Sequence, residues 1–453
     1  MTRRILIRGG TIVSMDPAIG ELARGDLLVE GERIAAIAPS IAAEDAEIVD
    51  AADRIVVPGF VNAHQHTWQT ALRGIAANWT LPEYFAWVHR GLATRFRPDD
   101  IHVATLAGAL GQIEAGATTL VDWCHNNPTP DHTDAAVDAL VESGIRAAFF
   151  HGSPKPDPKP GEPHFSEVPH PRSEIARLAR GRIGGRDGRV TLGMAILGPH
   201  YATLEVTRAD LALAREFGLV ASLHQGGGPA RSPGGWQRLL AEGLVGPGLN
   251  IVHGNDLDDD LLARLVAAGA SFTVTPENEM TQGHGVPITG RLIARGTAPS
   301  LGVDIESVVS ADLFTVARMA LAGQRLIDNV AGRQATGAIP PTATVTTRAA
   351  LGWLTIEGAR MLGLDHRIGS LSPGKQADLV LLDASRLNLF PVHDPIASVV
   401  MQAGIANVES VMIGGRFAKR DGRLIRSDLA GLKARLKASG QRILGELGLA
   451  TAA

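Results

Sequence analysis

Between residues 58 and 305 the chain alternates short apolar runs with helical patterns, and this alternation constrains its fold more than any other feature. The runs are continuously apolar, as in 118–121 and 270–274, which is typical of strands buried on both faces of a parallel sheet. The patterns between them place leucine, isoleucine and valine on one face of a helix. Eight runs follow one another in this way. The sequence therefore predicts an α/β fold with a (β/α)8 TIM barrel.

Each predicted barrel strand ends in a polar residue. These residues are His66, Asp122, His151, His200, His224, His253, Glu277 and Asp304. From the fourth onward they recur every 24 to 29 residues, close to the length of one strand–helix unit. Because the active sites of such barrels lie at the carboxyl ends of the strands, these side chains are candidates for one shared site.

The first barrel strand ends in a pair of histidines one residue apart. Side chains alternate along a strand, so His64 and His66 point to the same side. A bare pair of this kind is a weak signal. Together with His224, His253 and Asp304 it predicts one metal-dependent hydrolytic centre.

Short strands punctuated by turns occupy the first sixty residues and return after residue 366. We expect them to pair in a second, small β-sandwich domain built from both chain termini. The predicted boundaries are 1–57 and 366–427 for this domain, 58–365 for the barrel and 428–453 for a terminal helix.

Composition excludes several classes of function. A net charge of −4 without a run of basic residues argues against nucleic-acid binding. No apolar run reaches the roughly 18 residues of a membrane span. The single cysteine, Cys124, fits a reducing compartment. We therefore expect a cytoplasmic enzyme that acts on a small molecule and forms a homo-oligomer.

Four motifs resemble the amidohydrolase superfamily, in its cytosine deaminase and s-triazine hydrolase (chlorohydrolase-like) branch. They lie at 9–13, 58–66, 72–74 and 368–383. The resemblance implies that one divalent metal, zinc or alternatively iron, is bound by four side chains: His64, His66, His224 and Asp304. It also implies that Asp304 takes a proton from the metal-activated water and that His253 polarises the substrate. No lysine ends an early strand where two-metal relatives carry a carbamylated one, so a single metal is expected.

One position departs from the family pattern. Deaminases of this branch carry a glutamate three residues after the strand-five histidine, and here that position is Gly227. Either Glu277 or Glu279 replaces this acid, or Asp304 carries both proton transfers. The second alternative favours the opening of a cyclic amide over the loss of ammonia.

Several further residues are predicted to contact substrate. Tryptophans cluster in the first two barrel units, and Trp79 and Trp87 form either a flat wall for a planar ligand or the packing of a loop. His125, His200 and Gln225 follow strand ends and complete this set. The proline-rich segment 152–172 is either a stiff lid or a plain surface loop.

The predicted function is the metal-dependent hydrolysis of a non-peptide carbon–nitrogen bond in a small planar heterocycle, by ring opening or deamination. One alternative keeps the fold but changes the chemistry to dechlorination, alkylamine removal or decarboxylation. A second alternative is a non-catalytic metal-binding scaffold. Fold class alone does not decide between them.

Overall fold

The structure is a computed structural model, and it describes residues 3–426 and 428–449. The strands are β1 (Arg4–Val13), β2 (Glu21–Glu30), β3 (Arg33–Ala38), β4 (Glu47–Asp50), β5 (Arg54–Pro58), β6 (Phe60–Gln65), β7 (Ala117–Cys124), β8 (Arg146–Gly152), β9 (Val190–Ala195), β10 (Ala221–Gln225), β11 (Leu249–His253), β12 (Ser271–Val274), β13 (Ser300–Leu301), β14 (Leu379–Asp383), β15 (Val408–Ile413), β16 (Arg416–Arg420) and β17 (Arg423–Leu424). The α-helices are α1 (Leu81–Tyr84), α2 (Pro98–Glu114), α3 (Pro130–Ser143), α4 (Arg172–Arg180), α5 (Gly198–Tyr201), α6 (Leu204–Phe217), α7 (Gly235–Ala241), α8 (Asp259–Ala267), α9 (Pro276–Gln282), α10 (Thr289–Ile293), α11 (Leu313–Thr336), α12 (Thr347–Leu354), α13 (Ile356–Met361), α14 (Pro395–Ala397) and α15 (Leu429–Gly445).

Strands from both ends of the chain share one nine-stranded sheet. Its order is β17-β16-β15-β14-β5-β1-β2-β3, with β4 paired to β1. The junction between the two ends is the antiparallel pair of β5 and β14, in which Val56 lies opposite Leu381. Ile5, Ile7 and Leu27 pack into a common core with these two residues. Burial of these alternating apolar side chains explains why both termini are needed for this sheet.

The second sheet has eight strands in the order β13-β12-β11-β10-β9-β8-β7-β6. Neighbouring strands from β8 to β13 pair in parallel. A parallel bridge between Gln65 and Asp304 joins the two ends of this order, which closes the barrel. Every residue of β7 and β8 is buried, as expected for strands covered on both faces. The predicted barrel and second sheet of terminal strands are thus confirmed.

Two of the helices that follow barrel strands, α6 and α8, begin at side-chain caps. Thr203 accepts a hydrogen bond from the backbone N–H of Val206 at the start of α6. Asp258 does the same for Leu261 at the start of α8. Such caps satisfy backbone donors that have no partner within the helix. They fix where each helix leaves its strand, and therefore where the connecting loop lies.

Contacts between Cα atoms divide the chain into two compact units. One comprises Met1–Ala63, Leu110–Leu120 and Ala311–Ser427, and the other His64–Ala109, Val121–Ser310 and Asp428–Ala453. The second unit holds all the candidate site residues. The domain boundaries drawn from the sequence stay a prediction. Within the described part of the chain, no helix has the length and apolar character needed to cross a bilayer.

Candidate metal centre and active site

Four side chains converge at the carboxyl ends of the barrel strands. His64 lies in β6 and His66 directly after it, His224 lies in β10, and Asp304 follows β13. All four are buried, with at most 9% of each residue exposed to solvent. They are the four residues expected from the sequence to bind a metal, and the structure brings them into one cluster.

The donor atoms of this cluster are spaced as one ion requires. The Nε2 atoms of His64 and His224 are 3.1 Å apart. Asp304 Oδ1 lies 3.3 Å from the Nε2 atoms of both His64 and His66. Two donors bound to one zinc-sized ion at about 2.0–2.2 Å lie about 3 to 4 Å apart. Three imidazoles and one carboxylate therefore fit a divalent metal.

The protonation states of the histidines also suit metal binding. Burial lowers the pKa of His64 to about 3, so its imidazole is neutral at pH 7. Burial likewise lowers the pKa of His224 well below its usual value. His66 donates its Nδ1 proton to the carbonyl oxygen of Trp123 over 2.6 Å, which leaves the lone pair on Nε2. Each of these rings can therefore present a lone pair to the ion.

Asp304 presents one carboxylate oxygen to His64 and His66 and the other to His253. Oδ2 accepts a hydrogen bond from Asn278 Nδ2 over 2.7 Å and lies 3.7 Å from His253 Nε2. Burial raises the pKa of this carboxyl, but the hydrogen bonds of His64 and His66 and the charge of His253 outweigh burial and hold the pKa well below its usual value. Asp304 is thus ionised, with Oδ1 facing His64 and His66 and Oδ2 facing His253.

His253 is held in position by a buried carboxylate. Its Nδ1 lies 3.1 Å from Oε1 of Glu279, which also accepts a hydrogen bond from the backbone N–H of Thr275 over 2.9 Å. Burial lowers the pKa of His253, but the Glu279 hydrogen bond and the Asp304 charge outweigh burial, so the pKa is raised. The raised pKa favours the protonated ring, and Nε2 faces the Oδ2 side of Asp304.

The backbone is strained at the two residues with expected catalytic roles. His253 and Asp304 adopt φ angles of +67° and +73°, in the left-handed region. Asp304 is held there from both sides, because its N–H donates to the carbonyl of His64 over 3.0 Å and its carbonyl accepts from the N–H of His66 over 2.8 Å. A Cβ at Gly302 would lie 2.7 Å from the Cβ of His64, so only glycine lets the last strand approach the first so closely. Such strain is typical of functional sites.

A cavity of about 360 Å³, including its open mouth, reaches the metal cluster. It is lined by His66, Leu81, Tyr84, Phe85, His89, His125, Lys155, Tyr201, His224, His253, Gln282, His284, Asp304 and Ile305. Of the predicted substrate contacts, His125 lies in this lining. Its ring stacks on that of His66 with centroids 4.2 Å apart, and its Nδ1 accepts a hydrogen bond from Trp68 Nε1 over 3.1 Å. His125 is therefore fixed beside a candidate metal ligand.

The two glutamates proposed from the sequence to replace the missing acid differ in position. Glu279 is buried behind His253, with 1% of the residue exposed. Glu277 is partly exposed and accepts a hydrogen bond from Ser310 Oγ over 3.4 Å. Neither belongs to the cavity lining. A direct contact of either glutamate with substrate stays a prediction.

The remaining predicted contacts lie outside the cavity lining. Trp79 and Trp87 pair with each other, with ring centroids 6.4 Å apart. His200 and Gln225 line a neighbouring cavity, where the Gln225 amide donates to Asp256 over 3.1 Å. Contact of these four residues with substrate stays a prediction.

Sequence reasoning missed Lys155, which enters the cavity from the proline-rich segment 152–172. The aromatic side chains of Tyr84, Phe85 and Tyr201 also line the cavity without having been singled out as site residues. A lysine among prolines is typical of a solvated loop, so the sequence carried no signal for its burial. Tyr84 and Phe85 lie between Trp79 and Trp87 in the sequence, and the structure places them, rather than the two tryptophans, at the cavity.

A second trio of possible ligands shares Asp304 with the first cluster. His253, His284 and Asp304 each offer a donor atom within 4.8 Å of the others. The rings of His253 and His284 lie 4.3 Å apart. Burial lowers the pKa of His284 to about 4, so this ring is also neutral at pH 7. An ion bound by this trio would be the second ion of the site.

Comparison with known proteins decides the family. The model of the amidohydrolase family matches residues 55–418, which is most of the chain. The chain belongs to the amidohydrolase family. The family resemblance drawn from the sequence is thus confirmed by a match that spans the whole barrel together with β14 and β15.

Relatives of this amidohydrolase include named deaminases. A 5-methylthioadenosine/S-adenosylhomocysteine deaminase of Symbiobacterium thermophilum is 28% identical over 98% of this chain and 100% of the relative. An 8-oxoguanine deaminase of Pseudomonas aeruginosa is 30% identical over 93% of this chain and 95% of the relative. Among solved structures, a zinc complex of atrazine chlorohydrolase from Arthrobacter aurescens matches with a TM-score of 0.83 and 20% identity, over 96% of this chain and 100% of that one.

These findings confirm the broad functional prediction. The amidohydrolase is a metal-dependent hydrolase that acts on carbon–nitrogen bonds other than peptide bonds. Its four-ligand cluster holds a divalent metal. The identity and number of the ions, and the substrate, are finer questions.

In this amidohydrolase, a side chain at Gly227 would strain the backbone and displace its neighbours. The φ of Gly227 is +96°, and a Cβ would lie 2.8 Å from Leu81 Cδ2 and 2.9 Å from Tyr201 Oη. Backbone conformation and packing together therefore disfavour the acid that the family pattern places here.

We expect Gly227→Ala to lower the free energy of unfolding by about 2–4 kcal/mol, because backbone strain and overpacking add. The matched control is Gly228→Ala, since Gly228 also has a positive φ, +128°, but a Cβ there meets nothing within 4 Å. In the control we expect only the loss of stability that backbone strain causes, about 1–2 kcal/mol. Urea unfolding curves measure both, and equal losses would contradict the packing argument.

Proposed function

We propose that this amidohydrolase hydrolyses a carbon–nitrogen bond within a small planar nitrogen heterocycle, opening a cyclic amide in preference to releasing ammonia. The observation that supports this most directly is the two-sided carboxylate of Asp304. Among the described residues that line the cavity, Asp304 is the only carboxylic acid. One group must then take up and return the proton. Ring opening needs a single proton on the departing nitrogen, which stays attached to the product.

The proposed mechanism assigns a separate task to each side chain. His64, His66, His224 and Asp304 would hold a divalent ion, which would supply Lewis acidity and lower the pKa of a water from near 16 to about 7. Asp304 accepts the water proton on Oδ2 and returns it to the departing nitrogen. His253 donates from Nε2 to the substrate oxygen as negative charge develops there. Glu279 fixes the orientation and the proton of His253 through Nδ1.

Deamination is the second candidate, and the named relatives favour it. The related proteins from Symbiobacterium and Pseudomonas are described as deaminases of purine-containing compounds. Mass spectrometry of products from the zinc-loaded enzyme, with a panel of cyclic amides and amino-heterocycles, separates the two. A product heavier by one water supports ring opening. Exchange of an imine nitrogen for oxygen supports deamination instead, and no product from either group would contradict the proposed function.

We propose that the metal is a single zinc ion held by His64, His66, His224 and Asp304. Elemental analysis of the purified enzyme tests this directly, with one equivalent of zinc expected. Two equivalents would contradict the proposal and assign the second ion to the trio that contains His284. In that case His284→Ala would lower the zinc content from two equivalents to one.

We expect Glu279→Gln to lower kcat by about 10- to 100-fold, because the amide cannot hold His253 in its protonated orientation as the carboxylate does. The matched control is Glu277→Gln, two residues earlier in α9 and partly exposed. We expect the control to keep its activity. Steady-state kinetics on the substrate found by mass spectrometry measure both. A similar loss in the two variants would contradict the positioning role.

The predictions of a homo-oligomer, a cytoplasmic location and no nucleic-acid partner rest on the sequence. We propose the homo-oligomer as the finer description of the assembly. Light scattering coupled to size-exclusion chromatography tests it, and a mass near that of one chain would contradict it.

A further inference from the structure

Lys155 brings a buried positive charge to the cavity. It lies in the segment between β8 and α4, and only 6% of the residue is exposed. Its Nζ lies over three aromatic rings, 5.0 Å from the centroid of Tyr201, 5.6 Å from Phe85 and 5.9 Å from Trp123. Aromatic faces attract a cation, but they do not replace the hydrogen bonds that an ammonium makes in water.

The Lys155 ammonium has no polar partner in the structure. Within residues 3–426 and 428–449, no acceptor lies at hydrogen-bond distance from Nζ and no carboxylate lies at ion-pair distance. Asp304 attracts it only through space. Burial without a partner lowers the pKa of Lys155 to about 8, so the side chain still carries its charge at pH 7.

The groups around Lys155 do not compensate its charge. Burial lowers the pKa of His89 and of His125 well below the usual value, so both rings are neutral. Among the described residues of the lining, Asp304 is the only acid, and it faces the metal cluster. A divalent ion adds two further positive charges. The cavity therefore carries an excess of positive charge that an anionic ligand would neutralise.

Lys155 lines the same cavity as three residues of the metal cluster, His66, His224 and Asp304. The ring of Trp123 lies near both, with its centroid 5.9 Å from Nζ and 4.3 Å from the ring of His224. A ligand bound in this cavity can therefore face both Lys155 and the metal cluster.

We propose that the substrate is a heterocycle that carries a carboxylate, and that this carboxylate pairs with Lys155 Nζ while the scissile bond lies at the metal cluster. The placement of the scissile bond at the metal cluster rests on the proposed function. The anion site itself rests on the burial and the missing partner of Lys155. Lys155 is thus the residue that sets the charge of the substrate.

Isothermal titration calorimetry of the zinc enzyme tests the anion site without turnover. The probes are benzoate and isonicotinate, each compared with its neutral amide, benzamide and isonicotinamide. We expect each carboxylate to bind at least ten times more tightly than its amide. We expect Lys155→Met and Lys155→Gln to abolish this preference, and Lys159→Met, an exposed lysine of the same segment, to retain it.

Two results would overturn the inference. Equal binding of acids and amides, or no binding of the acids at millimolar concentration, would show that the cavity does not select anions. A preference that persists in both Lys155 variants would place the carboxylate on the metal instead. Failure of the proposed function is seen separately, as the absence of product in the mass-spectrometric panel, and it leaves these binding results interpretable.

Discussion

Replacing Asp304 with asparagine is expected to lower kcat/KM by at least about 10³-fold. General acid–base catalysis alone contributes about 10²- to 10⁴-fold, and asparagine cannot accept the proton that Oδ2 accepts. The substitution also removes the negative charge that His64 and His66 face at 3.3 Å. Steady-state kinetics at saturating zinc, with zinc content measured on the same samples, provide the measurement.

The matched control for this prediction is Asp258→Asn. Asp258 is exposed and caps the start of α8, a position where asparagine serves nearly as well as aspartate. We expect this variant to retain full activity. A loss of less than about tenfold in Asp304→Asn, with zinc bound, would show that another group moves the proton.

Replacing Lys155 with methionine is expected to stabilise the fold by about 3 kcal/mol at pH 7 while it impairs the binding of anions. The pKa of Lys155 falls from its usual 10.5 to about 8, which corresponds to roughly 3 kcal/mol lost by burying the charge. Methionine fills a similar volume without a charge. A gain in stability from the loss of a polar side chain is typical of residues retained for function.

The pH dependence of this gain follows from the direction of the pKa shift. Because the pKa in the folded state lies below that in the unfolded chain, the penalty is complete below about pH 8 and shrinks as the pH rises toward 10.5. The advantage of Lys155→Met should therefore be larger at pH 7 than at pH 9.5. Urea unfolding at the two pH values measures it, with Lys159→Met as the control. An advantage that is absent, or that does not depend on pH, would contradict the buried-charge argument.

The barrel and its metal cluster were predictable because both depend on short-range regularities. Alternation along a strand places His64 and His66 on one side, and the spacing of strand ends brings His224 and Asp304 to the same rim. Backbone geometry alone fixes these relations. They hold whatever path the loops take.

The positions of side chains outside the strands were harder to predict from the sequence. In α9, the buried Glu279 and the partly exposed Glu277 are only two residues, about half a helical turn, apart. Only the angle at which the helix leaves β12 decides which of them reaches His253. The segment after β6 folds into short helical turns that place Tyr84 at the cavity. The burial of Lys155 depends on the course of a loop that has no periodic pattern.

The bridge between Gln65 and Asp304 has a consequence for how the molecule is made. The first and last ligands of the metal cluster come from the two strands that meet when the barrel closes, and their backbones are hydrogen-bonded to each other at that seam. A nascent chain that has emerged only as far as β12 has three histidines of the cluster but lacks the seam and Asp304. Capture of the ion with its complete ligand set therefore marks the end of barrel assembly, and the metal is positioned to lock the ring once it has closed.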